Sequence, residues 1–354
     1  MSAIVLAAGQ GTRMRSDRPK PLHRICGRSM VLHVIHALEM LQPRQTVVVV
    51  GHGAEQVTKQ VLDEAPPRSN AVFVEQLNQL GTGDAASVGM GALEGDDYDD
   101  SIVVVLPGDA PLLRAETLDE LVATHTANDN AATMIVSTMD DPTGYGRVIR
   151  DRDGRVVRIV EQRDASPAEL AIAVGNCGMY AFRRETLGPA LRNLRADNAS
   201  GEFYLTDVIG QLAAMGHRIG VLDVDQHETQ GVNDRWQLAL AERELRSRTN
   251  RHWLLNGVTM LDPRQTFIDV DVTIGRDTTL YPGTVLQGTT VVGDRCEIGP
   301  NVRLRDCVVG DDVTIEHCVG DDAEVLAGTR VAPFTHLTSN SDTASAPRGP
   351  APGW

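Results

Sequence analysis

Residues 268–304 read IDVDVTIGRDTTLYPGTVLQGTTVVGDRCEIGPNVRL, and this stretch decides the fold of the C-terminal part of the chain. Its aliphatic residues recur at every sixth position, namely at Ile268, Ile274, Leu280, Leu286, Val292, Ile298 and Leu304. A period of six fits neither an amphipathic helix nor an ordinary strand. It is typical of a parallel β-helix, in which short strands form each turn and the aliphatic side chains stack inside. The sequence therefore predicts a short hexapeptide β-helix over residues 257–337.

Beyond Leu304 the repeat changes phase and resumes less regularly at Val309, Val319, Val325 and Val331. Three cysteines in this region lack the paired spacing of a metal site, and we expect them to be small apolar residues of the coils: Cys296, Cys307 and Cys318. Residues 338–354 are rich in Ser, Pro, Ala and Gly, which predicts a disordered tail.

On the N-terminal side, a charged helical stretch at 233–256 is predicted to be a linker helix. Residues 1–232 alternate between strand-like runs and helical patterns, which favours a Rossmann-like, doubly wound α/β domain with a mostly parallel sheet. Ligands of such sheets bind at the carboxyl ends of the strands. Strands are predicted at 3–8, 46–50, 71–75, 102–106, 132–138, 156–161, 179–182 and 218–224. Helices are predicted at 30–41, 54–64, 84–93 and 115–125.

Composition narrows the classes of function. The chain has 354 residues, enough for about two domains, and a formal net charge of −15 that would repel nucleic acid. No apolar run approaches the roughly 20 residues that a membrane span needs. No basic segment or cleavage-site pattern precedes residues 3–8, and five cysteines do not suggest a disulfide framework. We expect a cytoplasmic protein that binds neither nucleic acid nor membranes.

One short segment opposes the acidic average. Between Arg13 and Arg28 the chain carries six basic residues and one acidic residue, Asp17. The whole chain has two lysines, Lys20 and Lys59, against 31 arginines. A compact ammonium group cannot be replaced by a guanidinium group at a crowded phosphate site. The retention of Lys20 in the most basic segment therefore suggests a phosphate contact.

Residues 6–14, LAAGQGTRM, lie where the first predicted strand ends. Gly9 and Gly11 allow the backbone to approach a ligand, and successive backbone N–H groups there can bind an anion. The segment is neither the dinucleotide fingerprint nor a Walker loop. A tight turn is the simpler interpretation, but Arg13 and Lys20 nearby favour phosphate binding.

Residues 103–109, VVVLPGD, place Gly108 and Asp109 at the end of another predicted strand. Asp109 could cap the following loop, or it could be an oxygen ligand for Mg²⁺ beside bound phosphates. The residues alone leave these two interpretations open.

Several motifs together resemble one family. LAAGQGTRM at 6–14 with Lys20 is similar to the signature of sugar-1-phosphate nucleotidylyltransferases. Gln76 followed by LGTG at 80–83, DDPTGYGR at 140–147, Glu161, and GVN at 231–233 narrow the match. With the hexapeptide repeat they resemble the bacterial bifunctional N-acetylglucosamine-1-phosphate uridylyltransferase/glucosamine-1-phosphate acetyltransferase family, in a form lacking the acetyltransferase part. The resemblance spans residues 3–336 and implies that the β-helix is left-handed.

The resemblance implies roles for the matching residues. Arg13 and Lys20 would be the catalytic residues that hold the phosphates, and Asp109 and Asn233 would bind Mg²⁺. Nucleotide and substrate would contact Leu6, Ala7, Ala8, Gly9, Gly11, Gln76, Gly81, Thr82, Gly108, Gly146, Glu161, Asn176 and Asn233. Of these, Gln76, Gly81 and Thr82 would surround the uracil, whereas Gly146, Glu161 and Asn176 would position the amino sugar.

Simpler interpretations remain for three of these residues. Asn233 could cap the linker helix, Glu161 could end a strand in solvent, and Asn176 could serve a turn. The chain also departs from the family at Asp84, where relatives often have His.

The implied reaction is Mg²⁺-dependent transfer of UMP from UTP to N-acetylglucosamine 1-phosphate, which gives UDP-N-acetylglucosamine and pyrophosphate for cell-wall precursors. The attacking phosphate oxygen is already ionised, so neither a general base nor a covalent intermediate is needed. The family also implies a homotrimer built through the β-helix. Because residues 333–340 diverge from the acetyltransferase pattern, we expect no acetyl transfer. The alternatives are a nucleotidylyltransferase of other base or sugar specificity and a non-catalytic regulatory relative.

Overall fold

A computed structural model of the chain describes residues 1–95 and 101–339. By internal contacts the chain divides into two units. Unit 1 contains Met1–His23 and Ser29–Ala241, and unit 2 contains Arg24–Arg28 and the residues from Glu242 onward. Except for Thr338 and Ser339, the predicted disordered tail lies outside the described residues. No helix in the described ranges is long and apolar enough to cross a membrane.

Unit 1 is built on a nine-stranded sheet with the principal order β11-β7-β10-β6-β1-β4-β5. Along this path the neighbouring strands are parallel except at β10, which runs antiparallel to both β6 and β7, and the β8–β9 pair at the side is also antiparallel. β8 pairs with β10 and β9 at the side of this path. The strands of this sheet are β1 (Ser2–Ala7), β4 (Thr46–Val50), β5 (Ala71–Glu75), β6 (Ile102–Pro107), β7 (Ala132–Thr138), β8 (Gly146–Arg150), β9 (Val156–Val160), β10 (Val174–Arg183) and β11 (Ile219–Asp223). A separate two-stranded sheet contains β2 (Arg24–Ile25) and β3 (Arg28–Ser29).

Helices cover both faces of this sheet, which confirms the Rossmann-like prediction. The sequence patterns did not reveal β8, α6 or α7. Within α6, Pro189 supplies no backbone N–H, so the sequence favours a break where the structure continues the helix. The helices are α1 (Met30–Leu38), α2 (Ala54–Glu64), α3 (Thr82–Gly91), α4 (Ala115–Ala127), α5 (Pro167–Leu170), α6 (Arg184–Arg192), α7 (Thr206–Ala214), α8 (Gln226–Thr229) and α9 (Arg235–Leu255).

The central strand β1 explains why this part of the sequence is almost entirely apolar. Ile4 packs into the core on one face of the sheet, whereas Ala3 and Val5 pack into the core on the other. All three side chains are fully buried. Burying a large aliphatic side chain contributes about 1.5–3 kcal/mol, so a continuous apolar run stabilises a strand that is covered on both faces.

Unit 2 contains a left-handed parallel β-helix whose short strands form three sheets. The seven predicted stacking residues are all buried in one core, together with Cys296, Cys307 and Cys318. The strands are β12 (Thr259–Met260), β13 (Thr266–Ile268), β14 (Thr273–Ile274), β15 (Thr279–Leu280), β16 (Thr284–Gln287), β17 (Val291–Val292), β18 (Glu297–Ile298), β19 (Arg303–Arg305), β20 (Val308–Val309), β21 (Thr314–Ile315), β22 (Val319–Asp321), β23 (Glu324–Val325) and β24 (His336–Leu337).

The later coils depart from the strict repeat, and this changes one stacking position. Leu304 pairs with Gly320, so Gly320 takes the inward position and Val319 points outward. A Cβ at Gly320 would lie 2.8 Å from Leu304 Cδ2, so the coil has no room there for a larger residue. The predicted stacking position at Val319 is therefore wrong by one residue.

Candidate active site

The loop after β1 brings its glycines close to Lys20. Gly11 has a φ of 63°, in the left-handed region, and a Cβ at this position would lie 2.5 Å from Lys20 Cβ. A Cβ at Gly9 would meet nothing within 4 Å, because this residue faces open space. The loop therefore makes a tight turn, and its backbone at Gly11 lies close to the Lys20 side chain because glycine has no Cβ.

Lys20, Asp109, Asn233 and Arg13 form one polar cluster. Lys20 Nζ makes a short ion pair with the Asp109 carboxylate and donates a hydrogen bond to Asn233 Oδ1 at 3.0 Å. Arg13 donates to the same Asn233 oxygen at 2.9 Å. The backbone N–H of Val232 donates to the carbonyl oxygen of Asp109 at 2.9 Å, which ties the two segments together. Two cations and two oxygen ligands therefore converge at the carboxyl ends of β1 and β6.

Asn233 is available for this cluster because its neighbour caps the helix. Asp234 Oδ1 accepts from the backbone N–H of Gln237 at 2.8 Å in the first turn of α9. Gln237 Oε1 accepts in turn from the backbone N–H of Asn233 at 2.7 Å. Capping by Asn233 is therefore wrong, and its side chain points instead to Arg13 and Lys20.

The donor chemistry of this cluster fits Mg²⁺. Asp109 and Asn233 both contact Lys20 Nζ, so a carboxylate oxygen and an amide oxygen lie close together. Mg²⁺ prefers such oxygens and usually takes only one or two protein carboxylates, with phosphate oxygens and water completing its shell. Across residues 1–95 and 101–339 no group of three or more His, Cys, Asp or Glu could hold a metal. With Asp109 and Asn233 as its protein ligands, a Mg²⁺ ion here would take its remaining ligands from phosphate oxygens and water.

A cleft of about 670 Å³ collects most of the predicted site residues. Four other predicted residues do not line it but lie next to residues of the site. Gly11 lies against Lys20, Arg13 and Asn233 belong to the polar cluster, and Gly146 is adjacent to Glu161. The predicted residues that line the cleft are Leu6, Ala7, Ala8, Gly9, Lys20, Gln76, Gly81, Thr82, Gly108, Asp109, Glu161 and Asn176.

One part of the cleft is formed by the β5–α3 loop and the first turn of α3. Gln76 donates from Nε2 to the carbonyl oxygen of Gly81 at 3.2 Å and to Asp84 Oδ2 at 2.7 Å. Thr82 Oγ1 accepts from the backbone N–H of Leu205 at 3.1 Å. These bonds fix the loop, and they leave the side-chain carbonyl of Gln76 without a protein donor within the described residues.

Glu161 and Asn176 lie in the same cleft, each held by a hydroxyl group. Thr206 Oγ1 donates to Glu161 Oε1 at 2.9 Å, and Asn176 Nδ2 donates to the Tyr180 hydroxyl oxygen at 2.7 Å. A Cβ at Gly146 would lie 2.8 Å from Ile159 Cγ2 and 3.5 Å from Glu161 Oε1. Glu161 therefore does not end its strand in solvent. Asn176 does serve a turn, since its Oδ1 accepts from the backbone N–H of Gly178 at 3.3 Å, but it also faces the cleft.

Burial is the main reason that the pKa of Glu161 is raised above its ordinary value. The negative charges of Asp207, Asp164 and Glu202 raise it further, while the Thr206 hydroxyl opposes the shift. This carboxyl group is thus a partly buried hydrogen-bond acceptor in an acidic surrounding, which suits contact with neutral hydroxyl or amide donors.

Three residues that form hydrogen bonds with the predicted site residues were not themselves predicted from the sequence. Thr206, Tyr180 and Asp84 each contact a predicted site residue but lie outside the quoted motifs. Tyr180 is buried in a strand and looks like core from its pattern alone. Of these three positions, Asp84 alone stands out in the sequence, because relatives often have His there.

A larger cleft, of about 1,210 Å³, lies between the β8–β9 hairpin, α7 and β11. None of the predicted site residues is among the described residues that line it. Several of its polar groups are already paired: Arg158 with Glu169, Arg218 with Asn128, and Arg150 with the carbonyl oxygen of Gly154. Size alone therefore does not make it the better candidate.

Known protein families match the N-terminal and the C-terminal parts of the chain separately. Residues 3–212 match the family of MobA-like NTP transferase domains, and residues 271–306 match the bacterial transferase hexapeptide repeat. "Bifunctional protein GlmU" of Streptomyces avermitilis is 48% identical over 338 residues, which cover 95% of this chain and 69% of that protein. The protein of the same name from Corynebacterium efficiens is 46% identical over 338 residues, with the same coverage. The one from Thermobifida fusca is 46% identical over 326 residues, covering 92% of this chain and 67% of its own length.

Proposed function

The chain belongs to the GlmU family of nucleotidyltransferases, and we propose that it makes UDP-N-acetylglucosamine and pyrophosphate from UTP and N-acetylglucosamine 1-phosphate. The observation that carries the proposal is the cluster of Arg13, Lys20, Asp109 and Asn233 beside the cleft. Cations and oxygen ligands together match the needs of a triphosphate that binds with Mg²⁺.

In the proposed mechanism the protein positions two anions and stabilises charge. Bound Mg²⁺ would lower the negative charge around the reacting phosphate, and Asp109 and Asn233 would hold the ion. Lys20 places its ammonium group where charge develops in the transition state, and Arg13 binds the pyrophosphate that leaves. Because the attacking sugar phosphate is ionised at neutral pH, the chain needs no residue to remove a proton.

The two substrates would bind in different parts of the cleft. Gln76, Gly81 and Thr82 would contact the uracil, while Glu161 and Asn176 would contact the amino sugar. The hydrogen bonds from Thr206 and to Tyr180 support this assignment, because they hold both polar side chains in fixed positions. Fixed positions convert a reaction between two substrates into one between groups that are already aligned.

The cellular setting and assembly complete the proposal. We propose that the product serves cell-wall precursor synthesis in the cytoplasm and that the chain forms a homotrimer through its β-helix. The sheet of β14, β17, β20 and β23 presents Val291 and Val308 outward, exposed and directly paired in register. An apolar pair on this outward face can be buried against another copy of the chain.

The test measures pyrophosphate release from UTP, CTP, TTP and GTP, each with N-acetylglucosamine 1-phosphate or glucose 1-phosphate. We expect release with UTP and N-acetylglucosamine 1-phosphate in the presence of Mg²⁺, and none after chelation. A preference for another pair would support a nucleotidylyltransferase of different specificity. Absence of release from every pair would support the non-catalytic alternative.

A further inference from the structure

We infer that Asp84 is a positioning residue: it fixes the Gln76 amide so that the carbonyl oxygen of Gln76 meets the nucleobase, and this selects uracil over cytosine. The inference rests on the proposed function, in which this part of the cleft receives the base. Asp84 is also the position at which this chain departs from the family pattern.

The hydrogen bonds determine which end of the Gln76 amide points to the cleft. Its Nε2 group has two N–H donors, and they are used by the Gly81 carbonyl at 3.2 Å and by Asp84 Oδ2 at 2.7 Å. A flipped amide would place its oxygen against these two acceptors, which would repel it. The network therefore permits one orientation.

The remaining polar atom of Gln76 is the Oε1 carbonyl. Gln76 is 4% exposed and lines the cleft, and within the described residues no donor contacts this oxygen. A nearly buried acceptor without a partner favours a ligand that brings a donor. The N3 position of uracil carries such an N–H group. Cytosine has an unprotonated nitrogen at N3, which would place two acceptors against each other.

Asp84 supplies the stronger of the two contacts that hold this orientation. Its bond to Gln76 is shorter than the one from Gln76 to Gly81, and its acceptor is a carboxylate. Without Asp84, one N–H of Gln76 would lose its partner, and the amide could then rotate to offer N–H instead of C=O. An amide in this second orientation would accommodate the cytosine acceptor.

A simpler role for Asp84 is electrostatic, because it lies in the first turn of α3, where a negative charge stabilises the helix. The substitution Asp84→Asn separates the two roles. Asparagine loses the charge but keeps a carbonyl oxygen that can accept from Gln76. If Asp84 acts only on the helix, Asp84→Asn and Asp84→Ala should have the same effect.

The experiment measures the dissociation constants of UTP and CTP by calorimetry in the presence of Mg²⁺ and without a sugar phosphate. The variants are Asp84→Ala and Asp84→Asn, with Ser87→Ala, an exposed position on the same helix, as the matched control. Steady-state kcat and KM for UTP are measured alongside. We expect Asp84→Ala to reduce the preference for UTP over CTP by about tenfold or more, mainly through affinity and KM. Asp84→Asn and Ser87→Ala should stay within about threefold of the wild type.

Each outcome has a separate meaning. An unchanged UTP preference in Asp84→Ala would overturn the inference, as would equal losses in Asp84→Ala and Asp84→Asn. A wild-type protein that binds CTP as well as UTP would also overturn it. If the wild type prefers UTP and Asp84→Ala loses that preference, but no pyrophosphate is released with any sugar phosphate, the proposed function fails while the inference stands.

Discussion

At the residue scale, Asp109 accepts the ion pair from Lys20 while its backbone carbonyl binds Val232. Asp109→Ala removes the carboxylate but leaves the backbone bond intact, so the fold should persist. We expect turnover to fall on the order of a hundredfold or more, because the charged metal ligand is lost. Pyrophosphate release at saturating UTP measures this, and thermal unfolding checks the fold. The exposed Asp119 on α4 gives the control Asp119→Ala. Near-normal turnover in Asp109→Ala at ordinary Mg²⁺ would falsify the metal assignment.

Lys20→Arg preserves the charge at the same site, but it should still be damaging. Lys20 lies against Gly11 and is partly buried between Asp109 and Asn233, which leaves little room for a planar guanidinium group. We expect kcat to fall by about tenfold or more, since the point charge no longer meets the phosphate. The other lysine of the chain, Lys59, is exposed on α2, so Lys59→Arg is the matched control. Wild-type kinetics in both variants would contradict the phosphate role.

Glu161 provides a test through pH. Burial raises its pKa, so the folded protein holds this proton more tightly than the unfolded chain does. Stability therefore falls as the pH rises from the ordinary glutamate value to the raised value, and the full cost is present above that value. Glu161→Gln has no proton to lose and keeps an oxygen for the Thr206 hydroxyl. We expect its Tm to exceed that of the wild type at about pH 8, and the difference to vanish at about pH 4.

Thermal unfolding across that pH range measures the Glu161 effect. The exposed Glu120 on α4 supplies the control Glu120→Gln, which should follow the wild-type curve. Parallel curves for the wild type and Glu161→Gln would show that ionisation of the Glu161 carboxyl group does not lower the stability.

Some of the candidate site residues can be predicted from the sequence alone, and others cannot. Lys20 is predictable because lysine is rare in this chain. Thr206 is not, because its contact with Glu161 arises only in the folded chain. Asp84 stands out in the sequence as a departure from the family, but only the structure shows its contact with Gln76. Asn233 required the structure as well, since only the geometry shows that Asp234 caps the helix in its place.

At the element scale, the loop after β1 makes a prediction about its two glycines. Gly11→Ala places a side chain in the left-handed region and against Lys20, so we expect a loss of about 1–2 kcal/mol in stability and a lower kcat. Gly9→Ala meets no protein atom, so its stability should change by less than about 0.5 kcal/mol. Because Gly9 lines the cleft, Gly9→Ala should instead weaken UTP binding.

Chemical denaturation and UTP titration of both variants separate these effects. The opposite pattern, with Gly9→Ala destabilised and Gly11→Ala unaffected in stability, would contradict the geometry of the loop.

The sequence predicts a strand correctly where a run of β-branched side chains favours it. β4 coincides with its prediction because Thr46–Val50 is an unbroken β-branched run. β10 is longer than predicted: it begins at Val174, and its register shifts between Asn176 and Tyr180. The glycines in that part of the strand hide it from a propensity argument, yet Asn176, at the edge of the irregularity, lines the cleft.

At the scale of the whole molecule, the apolar repeat predicts the β-helix and most of its later stacking positions, since Val309, Val325 and Val331 are buried in the core and only Val319 is displaced. Val292 pairs with Val309, one position earlier than a strict repeat would place it, and each shortened coil moves the stacking position. The change of phase after Leu304 reveals the first shortening in the sequence, whereas the inward position of Gly320 has no apolar side chain to mark it.

The proposed homotrimer is tested by light scattering over a range of protein concentrations. We expect a mass of three chains at high concentration and dissociation on dilution, because a short β-helix buries limited surface between subunits. Replacing both Val291 and Val308 by Glu should shift the equilibrium towards monomer, since a charge would enter the apolar face. The exposed Thr273, on a strand of the same sheet, gives the control Thr273→Ser. A monomer at every concentration would defeat the proposal.

The most direct test of the central claim is ³¹P nuclear magnetic resonance of the protein with UTP, N-acetylglucosamine 1-phosphate and Mg²⁺. We expect the three UTP signals and the sugar phosphate signal to decline together, while those of a nucleotide-sugar diphosphate and of pyrophosphate grow in equal amounts. The same mixture with Asp109→Ala should remain unchanged over that time. Orthophosphate release, or loss of UTP without loss of the sugar phosphate, would contradict transfer of a uridylyl group.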